Sequence, residues 1–202
     1  MSTKVTGDQI KTLRNQTGAG MMACKEALTE SSGDIDKAIE YLRKKGLASA
    51  EKKQSRAAKE GAIVSYIHTG GRLGVLLEIN CETDFVARRV EFQQLAQNIA
   101  MQVAASPTVQ YTSVDNIPSQ IIERERSIEL EKEDISNKPE EIRNKIVDGR
   151  IQKTLSSFVL MDQPYIKDPA ITIDELVKRH ISLLGENIKV ARFARFVLGE
   201  TI

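Results

Sequence analysis

Residues 62–81 have side chains that alternate with a period of two, and this alternation constrains the fold more than any other feature of the sequence. It is interrupted at Thr69-Gly70-Gly71 and then resumes. Side chains of a β-strand point alternately to the two faces of its sheet, and a glycine-rich turn joins antiparallel neighbours. Residues 62–81 are therefore predicted to form a β-hairpin. One face of its second strand carries Val75, Leu77, Ile79 and Cys81.

Residues 6–46 have helical periodicity in three short segments. The first ends at Thr17-Gly18, and the second ends at Ser31-Ser32-Gly33. The third begins with a capping residue at Asp34 and is expected to end at Gly46, where a left-handed glycine commonly terminates a helix. The segment predicts a compact three-helix module.

Residues 48–61 are small and charged without an apolar stripe, which favours a linker or a solvated helix. We place a domain boundary there. The predicted division is a three-helix module at residues 1–47, a linker at 48–61 and a core domain at 62–202.

The predicted core domain contains further helices and one more strand. A helix is expected from about Val86 to Ala105, with Phe92, Leu95, Ile99 and Val103 on its buried face. Two long charged segments at about 119–160, joined near residues 136–139, predict an antiparallel helical hairpin. Its stripes contain Ile121, Ile128 and Ile135 in the first segment, and Ile142, Ile146, Ile151, Leu155 and Phe158 in the second. An amphipathic helix from Ile173 to Leu184 precedes a third strand, which predicts an α+β fold with a small antiparallel sheet.

Composition argues against several classes of function. Lys and Arg number 29 and Asp and Glu 28, which leaves a net charge of +1 and no general attraction to nucleic acid or membranes. No apolar segment approaches the length of a membrane span. The phosphate-binding loop, catalytic triad and metal-ligand spacings are absent from the sequence, so no metal, cofactor or enzymatic activity is predicted. His180 is expected to pack in a helix, and Cys24 and Cys81 are expected to be reduced and buried.

Phe85 follows an acid at a turn, although the chain has only five phenylalanines. The residues by themselves favour an ordinary arrangement in which Asp84 caps a helix and Phe85 packs in the core. A role for Phe85 outside its own chain is the alternative.

Two segments resemble the signature sequences of the elongation factor Ts family, LRNQTGAGMMACKEAL at residues 13–28 and EINCETDFVAR at 78–88. The resemblance extends over nearly the whole chain, including KPEEIRNKIVDGRIQK and the RFARFVLGE ending. With one core hairpin, the chain looks like a short form of the family. Ala23 departs from the pattern, because many members carry an acid at this position.

The resemblance implies a ubiquitin-associated-like N-terminal module, a dimerisation-type α+β core with a protruding helical hairpin, and guanine nucleotide exchange on elongation factor Tu. It assigns displacement of the partner's magnesium ion to Thr83, Asp84, Phe85 and Val86. It assigns partner binding to Arg14, Met21, Met22, Lys25 and His68. The expected partner is elongation factor Tu, both GDP-bound and nucleotide-free.

Other interpretations stay open at this point. The three-helix module by itself also fits a ubiquitin-like or peptide-binding adaptor, and Cys81 is the candidate nucleophile of a thiol enzyme. A homodimer is a further expectation for a short form. A cytoplasmic location is expected, or an organelle stroma if an organelle encodes the protein.

Overall fold

A computed structural model describes residues 5–136 and 138–200. The protein has an α+β fold, as predicted. The α-helices are α1 Gly7–Thr17, α2 Met21–Glu30, α3 Ile35–Lys53, α4 Asp84–Ala87, α5 Val90–Ala105, α6 Ser119–Leu130, α7 Glu133–Ser136, α8 Glu140–Phe158 and α9 Ile173–Leu184. The strands are β1 Glu60–Ile67, β2 Leu73–Cys81, β3 Pro164–Tyr165, β4 Asp168–Thr172 and β5 Ile188–Val197.

The chain divides into two compact units. The first consists of the residues up to Gly61, Asn80–Gln93 and Glu175–Lys189. The second consists of Ala62–Ile79, Gln94–Asp174 and the residues from Val190 onward. The division of the sequence into a module, a linker and a core domain stays a prediction.

Helices α1, α2 and α3 of the first unit pack together as predicted, around Leu13, Cys24, Ala27, Leu28 and Ala38. A capping box between Thr6 and Gln9 begins α1, because each side chain accepts a hydrogen bond from the other residue's backbone N–H. Gly18 ends α1 in the left-handed region, with φ of 68°. Asp34 caps α3 by accepting from the Lys37 backbone N–H.

The expected end of the third helix at Gly46 is wrong, because α3 continues to Lys53 and takes in the first part of the predicted linker. Gly46 has a different role. A Cβ atom at this position would lie 2.9 Å from the Ser182 hydroxyl oxygen of α9. The missing side chain therefore permits a close approach between α3 and α9, which also pair through Arg43 and Glu175 at 2.7 Å.

The predicted hairpin forms β1 and β2 of a three-stranded sheet whose order is β1-β2-β5. Gly70 and Gly71 turn the chain with φ of 91° and 67°, which glycine adopts without strain. The expected face of β2 is buried, and β5 is the predicted third strand. The sequence analysis did not predict the two-stranded sheet formed by β3 and β4.

The helix expected from about Val86 is interrupted, because α4 and α5 are separate helices on either side of Arg88-Arg89. The stripe predicted for α5 is buried. Helices α6 and α8 pack against each other as the predicted helical hairpin. Part of the connection predicted at 136–139, namely Asn137, lies outside the described residues.

The isoleucine stripes of the helical hairpin are partly wrong, since Ile128 and Ile142 are exposed. Helix α6 ends at Leu130 and α7 begins at Glu133, so the first stripe does not lie on one continuous helix. Ile135 of α7 packs beside Val147 and Ile151 of α8 instead. Within the described parts of the chain, no helix combines the length and the apolar character needed to cross a membrane.

Candidate functional site

Thr83 and the first three residues of the one-turn helix α4, namely Asp84, Phe85 and Val86, form a tight turn. Thr83 caps this helix, since its hydroxyl oxygen accepts a hydrogen bond from the Val86 backbone N–H at 3.4 Å. Asp84 is not the cap, so that interpretation is wrong. Its carboxylate instead accepts a hydrogen bond from the Arg88 guanidinium at 2.9 Å.

The side chain of Phe85 is 79% exposed, whereas Val86 and Ala87 beside it are buried. Successive residues of a helix point about 100° apart, so α4 can bury two neighbours and leave the third in solvent. The interpretation of Phe85 as an ordinary core residue is therefore wrong. Because the Phe85 ring lies mostly in solvent, packing in its own core does not account for a large aromatic side chain at this position.

Glu186 holds the turn at Thr83. One carboxylate oxygen accepts the Thr83 backbone N–H at 3.0 Å, and the other accepts the Thr83 hydroxyl at 2.6 Å. The Thr83 carbonyl accepts the Cys81 thiol at 3.1 Å and the Ala87 backbone N–H at 3.2 Å. The backbone N–H, the hydroxyl and the carbonyl of Thr83 all form hydrogen bonds, while the ring of Phe85 stays in solvent.

Cys81 lies behind this turn as a buried free thiol, and Cys24 is also buried and free, as predicted. Burial raises the pKa of the Cys81 thiol to about 11, and the negative charge of Glu186 adds to the shift. A nucleophilic cysteine needs the opposite shift, toward the thiolate. The arrangement disfavours a thiol enzyme.

A second group of predicted residues lies where α1 meets α2. Arg14 is in the last turn of α1, and Met21, Met22 and Lys25 are in the first part of α2. All four side chains are exposed, with Met21 at 45% and Met22 at 76%. Gly20 caps α2 without a side-chain hydrogen bond. The module thus exposes two cationic and two flexible apolar side chains near the connection between α1 and α2.

His68 lies in the second unit, just after β1, and is exposed. Its Nδ1 atom is 2.9 Å from the hydroxyl of Tyr66. His180 is part of α9, where its Nδ1 atom lies 2.8 Å from the Leu176 carbonyl oxygen, and burial lowers its pKa. This arrangement fits the packing role expected for His180.

Sequence reasoning did not identify the residues that support the turn. Glu186 and Asn187 lie more than 100 residues beyond Thr83 in the chain. The only local signal is an acid and an amide directly after Gly185, between a helix and a strand. The described residues also contain no group of three or more His, Cys, Asp or Glu side chains suited to a metal ion.

Comparison with known sequences identifies the family. The sequence profile described as elongation factor TS matches residues 4–200. The chain belongs to the elongation factor Ts family. Membership of the elongation factor Ts family associates the protein with the elongation step of protein biosynthesis.

Individual relatives match over almost the whole chain. The chain is 62% identical over 200 residues to chloroplastic elongation factor Ts of Rhodomonas salina, which covers 99% of this chain and 91% of the relative. It is 60% identical over 199 residues to elongation factor Ts of Synechococcus elongatus, covering 98% and 90%. Elongation factor Ts of Synechococcus sp. (strain JA-3-3Ab) is 62% identical over 193 residues, which cover 68% of that longer protein.

Proposed function

We propose that the protein is a guanine nucleotide exchange factor for elongation factor Tu. It binds the GDP complex, displaces the groups that hold magnesium and phosphate, and leaves a nucleotide-free complex that GTP then enters. The residues that act on the magnesium site are Thr83, Asp84, Phe85 and Val86. No covalent bond is made or broken, so the protein is not an enzyme in the chemical sense.

The exposed ring of Phe85 is the observation that carries this proposal. It lies in solvent at the end of a turn whose backbone is held by hydrogen bonds. A side chain inserted into another protein must reach its target without collapsing onto its own chain. The hydrogen-bonded turn keeps Phe85 available for this purpose.

The energetics require more than one contact. A ten-thousandfold acceleration of GDP release needs a barrier lower by about 5.5 kcal/mol. Burying one phenylalanine ring contributes about 1.5–3 kcal/mol. The remainder must come from lost magnesium coordination and from movement of the phosphate loop in the partner. Because binding is reciprocal, GDP weakens the factor's binding as much as the factor weakens that of GDP.

The surface formed by Arg14, Met21, Met22 and Lys25 serves as the anchor on elongation factor Tu. Methionine side chains are flexible and polarisable, so they adapt to a partner surface. The two cationic side chains add long-range attraction to an acidic patch. His68 is a further contact in this proposal.

Release of a fluorescent GDP analogue from purified elongation factor Tu tests the function in a stopped-flow instrument. The wild-type protein should accelerate release strongly, and Phe85→Ala should lower the maximal rate at least tenfold. Ile142→Ala is the matched control, because it also removes an exposed apolar side chain but lies on α8. Unaccelerated release by the wild type would refute the exchange function, and an unchanged rate with Phe85→Ala would refute the role of the ring.

A pull-down distinguishes exchange from the alternative of a ubiquitin-like or peptide-binding adaptor. An exchange factor should capture elongation factor Tu more strongly in EDTA and release it when GDP and magnesium are added. Capture of ubiquitin-like proteins, with no response to GDP, would favour the adaptor.

We also propose that two copies associate through the outer face of the three-stranded sheet. The exposed apolar residues there are Ile63 and Ile67 of β1, Leu76 of β2 and Phe196 of β5. Such an apolar surface is unusual for a monomer. Sedimentation of the wild type as a dimer, and of Ile63→Asp as a monomer, is the expected result, whereas a monomeric wild type would contradict it.

We place the protein in the cytoplasm or in an organelle stroma.

A further inference from the structure

We infer that Glu186 and Asn187 are positioning residues for nucleotide exchange, because they fix the turn that carries Phe85. This inference rests on the exchange function proposed above. Neither residue needs to touch the partner. Their contribution is to hold Thr83 in place, so that the ring reaches the partner in one orientation.

Two short connections meet at this point of the first unit. One is Glu82-Thr83, between β2 and α4, and the other is residues 185–187, between α9 and β5. Gly185 has φ of 83° and its backbone N–H donates to the Ile181 carbonyl, so it ends α9 and turns the chain. Glu186 and Asn187 follow directly.

The two connections are joined by reciprocal hydrogen bonds. Glu186 accepts the backbone N–H and the hydroxyl of Thr83, at 3.0 and 2.6 Å. In return, the Asn187 backbone N–H donates to the Glu82 carboxylate at 2.7 Å. Hydrogen bonds to a carboxylate are about twice as strong as those between neutral groups. Each connection therefore restrains the other.

The arrangement engages Thr83 on three sides. Its hydroxyl donates to Glu186 and accepts the Val86 backbone N–H, and its carbonyl accepts the Cys81 thiol. A hydroxyl has one hydrogen and two lone pairs, so it can serve both as donor and as cap. Removing the Glu186 carboxylate would take away the acceptor for the Thr83 hydroxyl hydrogen and for the Thr83 backbone N–H, while leaving Phe85 itself unchanged.

Asn187 extends the network to the end of α3. Its side chain is buried, with 4% of the residue exposed. The amide nitrogen donates to the Arg56 carbonyl at 2.7 Å and to the Gln54 carbonyl at 3.2 Å. Arg56 also pairs with Glu82 at 3.6 Å. Since α3 packs with α1 and α2, this network ties the Phe85 turn to the module that bears the proposed anchor.

Precise placement is the reason why such a network affects a rate. A displacement of about 1 Å in a reacting group can cost on the order of a hundredfold in rate. A ring on a loose turn would still contact the partner, but it would spend less time in the orientation that displaces the magnesium ligands. Loss of Glu186 should therefore lower the maximal rate of GDP release more than the affinity for the partner.

The experiment measures GDP release from elongation factor Tu at increasing concentrations of full-length Glu186→Ala and Glu186→Gln. Both should lower the maximal rate at least fivefold and change the half-saturating concentration by less than about twofold. Glutamine keeps the volume of Glu186 but removes its negative charge and leaves one acceptor oxygen for the two Thr83 donors, so its effect separates the charged hydrogen bonds from packing. Glu40→Ala, which removes an exposed glutamate paired with Lys44 on α3, should have no effect.

A double-mutant cycle with Phe85→Ala provides the readout that a general structural role would not change. If Glu186 acts through the ring, Glu186→Gln should reduce the rate by less than twofold once Phe85 is alanine. A full reduction in that background, or an unchanged maximal rate with Phe85 present, would overturn the inference while the exchange function stands. A wild-type protein that does not accelerate GDP release would instead overturn the exchange function, and this inference with it. If Glu186→Ala does not fold, Glu186→Gln alone decides.

Discussion

The turn at Thr83–Val86 and the first turn of α2 both expose large apolar side chains, but they are supported in different ways. Phe85 has a stiff ring, and Thr83, two residues before it, is held by hydrogen bonds to Glu186 and Cys81. Met21 and Met22 have flexible side chains, and Gly20 gives their helix no side-chain cap. The hydrogen-bonded turn limits the orientations of the Phe85 ring, whereas the methionine side chains can adjust to a partner surface.

In the proposed exchange function, this difference corresponds to two separate tasks. Displacing metal ligands in a partner requires a group held in one orientation, since placement controls the rate. Staying bound while the partner changes shape favours flexible side chains that can repack. We therefore expect changes at the turn to alter the maximal rate, and changes at the methionine pair to alter affinity.

The largest predicted effect is on the alkylation rate of Cys81, because this thiol is buried behind the turn and bonded to the Thr83 carbonyl. With its pKa raised to about 11, roughly one thiol in a thousand is ionised at pH 8, against about a quarter of ordinary cysteines. Alkylation of Cys81 by iodoacetamide at pH 8 should be more than a hundredfold slower than that of an unstructured peptide. Mass spectrometry of the Cys81 peptide measures the rate.

Denatured protein provides the control for Cys81, because the same residue should then react as fast as the peptide. Rapid alkylation of the folded protein would show that the turn opens readily. The Thr83–Val86 turn would then not be more rigid than the surface that carries Met21 and Met22, as the comparison requires.

A smaller effect is expected for the double variant Met21→Ala with Met22→Ala. Losing two apolar contacts of about 1 kcal/mol each should raise the half-saturating concentration about thirtyfold. The maximal rate of GDP release should stay within about twofold of wild type, because the turn is untouched. Titration of the exchange reaction measures both quantities.

Replacing both methionines by leucine is the matched control, and it should preserve most of the affinity since the apolar volume is kept. If the alanine variant instead lowered the maximal rate and left the half-saturating concentration unchanged, the two surfaces would not divide the tasks as proposed.

The smallest effect concerns the cap of α2. Gly20→Ser should raise the free energy of unfolding by a few tenths of a kcal/mol, because the hydroxyl can accept a hydrogen bond at the helix start. A Cβ atom at Gly20 meets nothing within 4 Å. Urea denaturation measures the change. Gly18→Ser is the contrasting control and should be destabilising, because Gly18 has φ of 68° and its Cβ would lie 3.0 Å from the Leu183 side chain. A destabilised Gly20→Ser would contradict the account of the cap.

Local periodicity predicted much of the fold. The hairpin, the stripe of α5 and the bounds of α9 follow from side-chain spacing, because burial of one face imposes that spacing on the sequence. Short elements escaped this reasoning. A two-residue strand such as β3 has no measurable period, and the break between α4 and α5 has no proline or glycine to announce it.

Gly46 shows why a residue type alone can mislead. Glycine after an apolar stripe is expected both at a helix end and at a close approach between helices. Only the position of Ser182, far along the chain, distinguishes the two. Phe85 is comparable, since exposure depends on what the folded chain leaves uncovered.

The amino-acid sequence by itself determined the family, the three-helix module, the hairpin and the identity of the candidate residues, because these depend on motifs and on spacings within short segments. The tertiary structure decided that Phe85 is exposed, that Thr83 rather than Asp84 caps α4, and that Glu186 and Asn187 support the turn. The support of the turn depends on contacts between residues about 100 positions apart, and such contacts leave no periodic trace in the sequence. The cap is a local contact, but threonine and aspartate are both competent caps, so their order in the sequence does not choose between them.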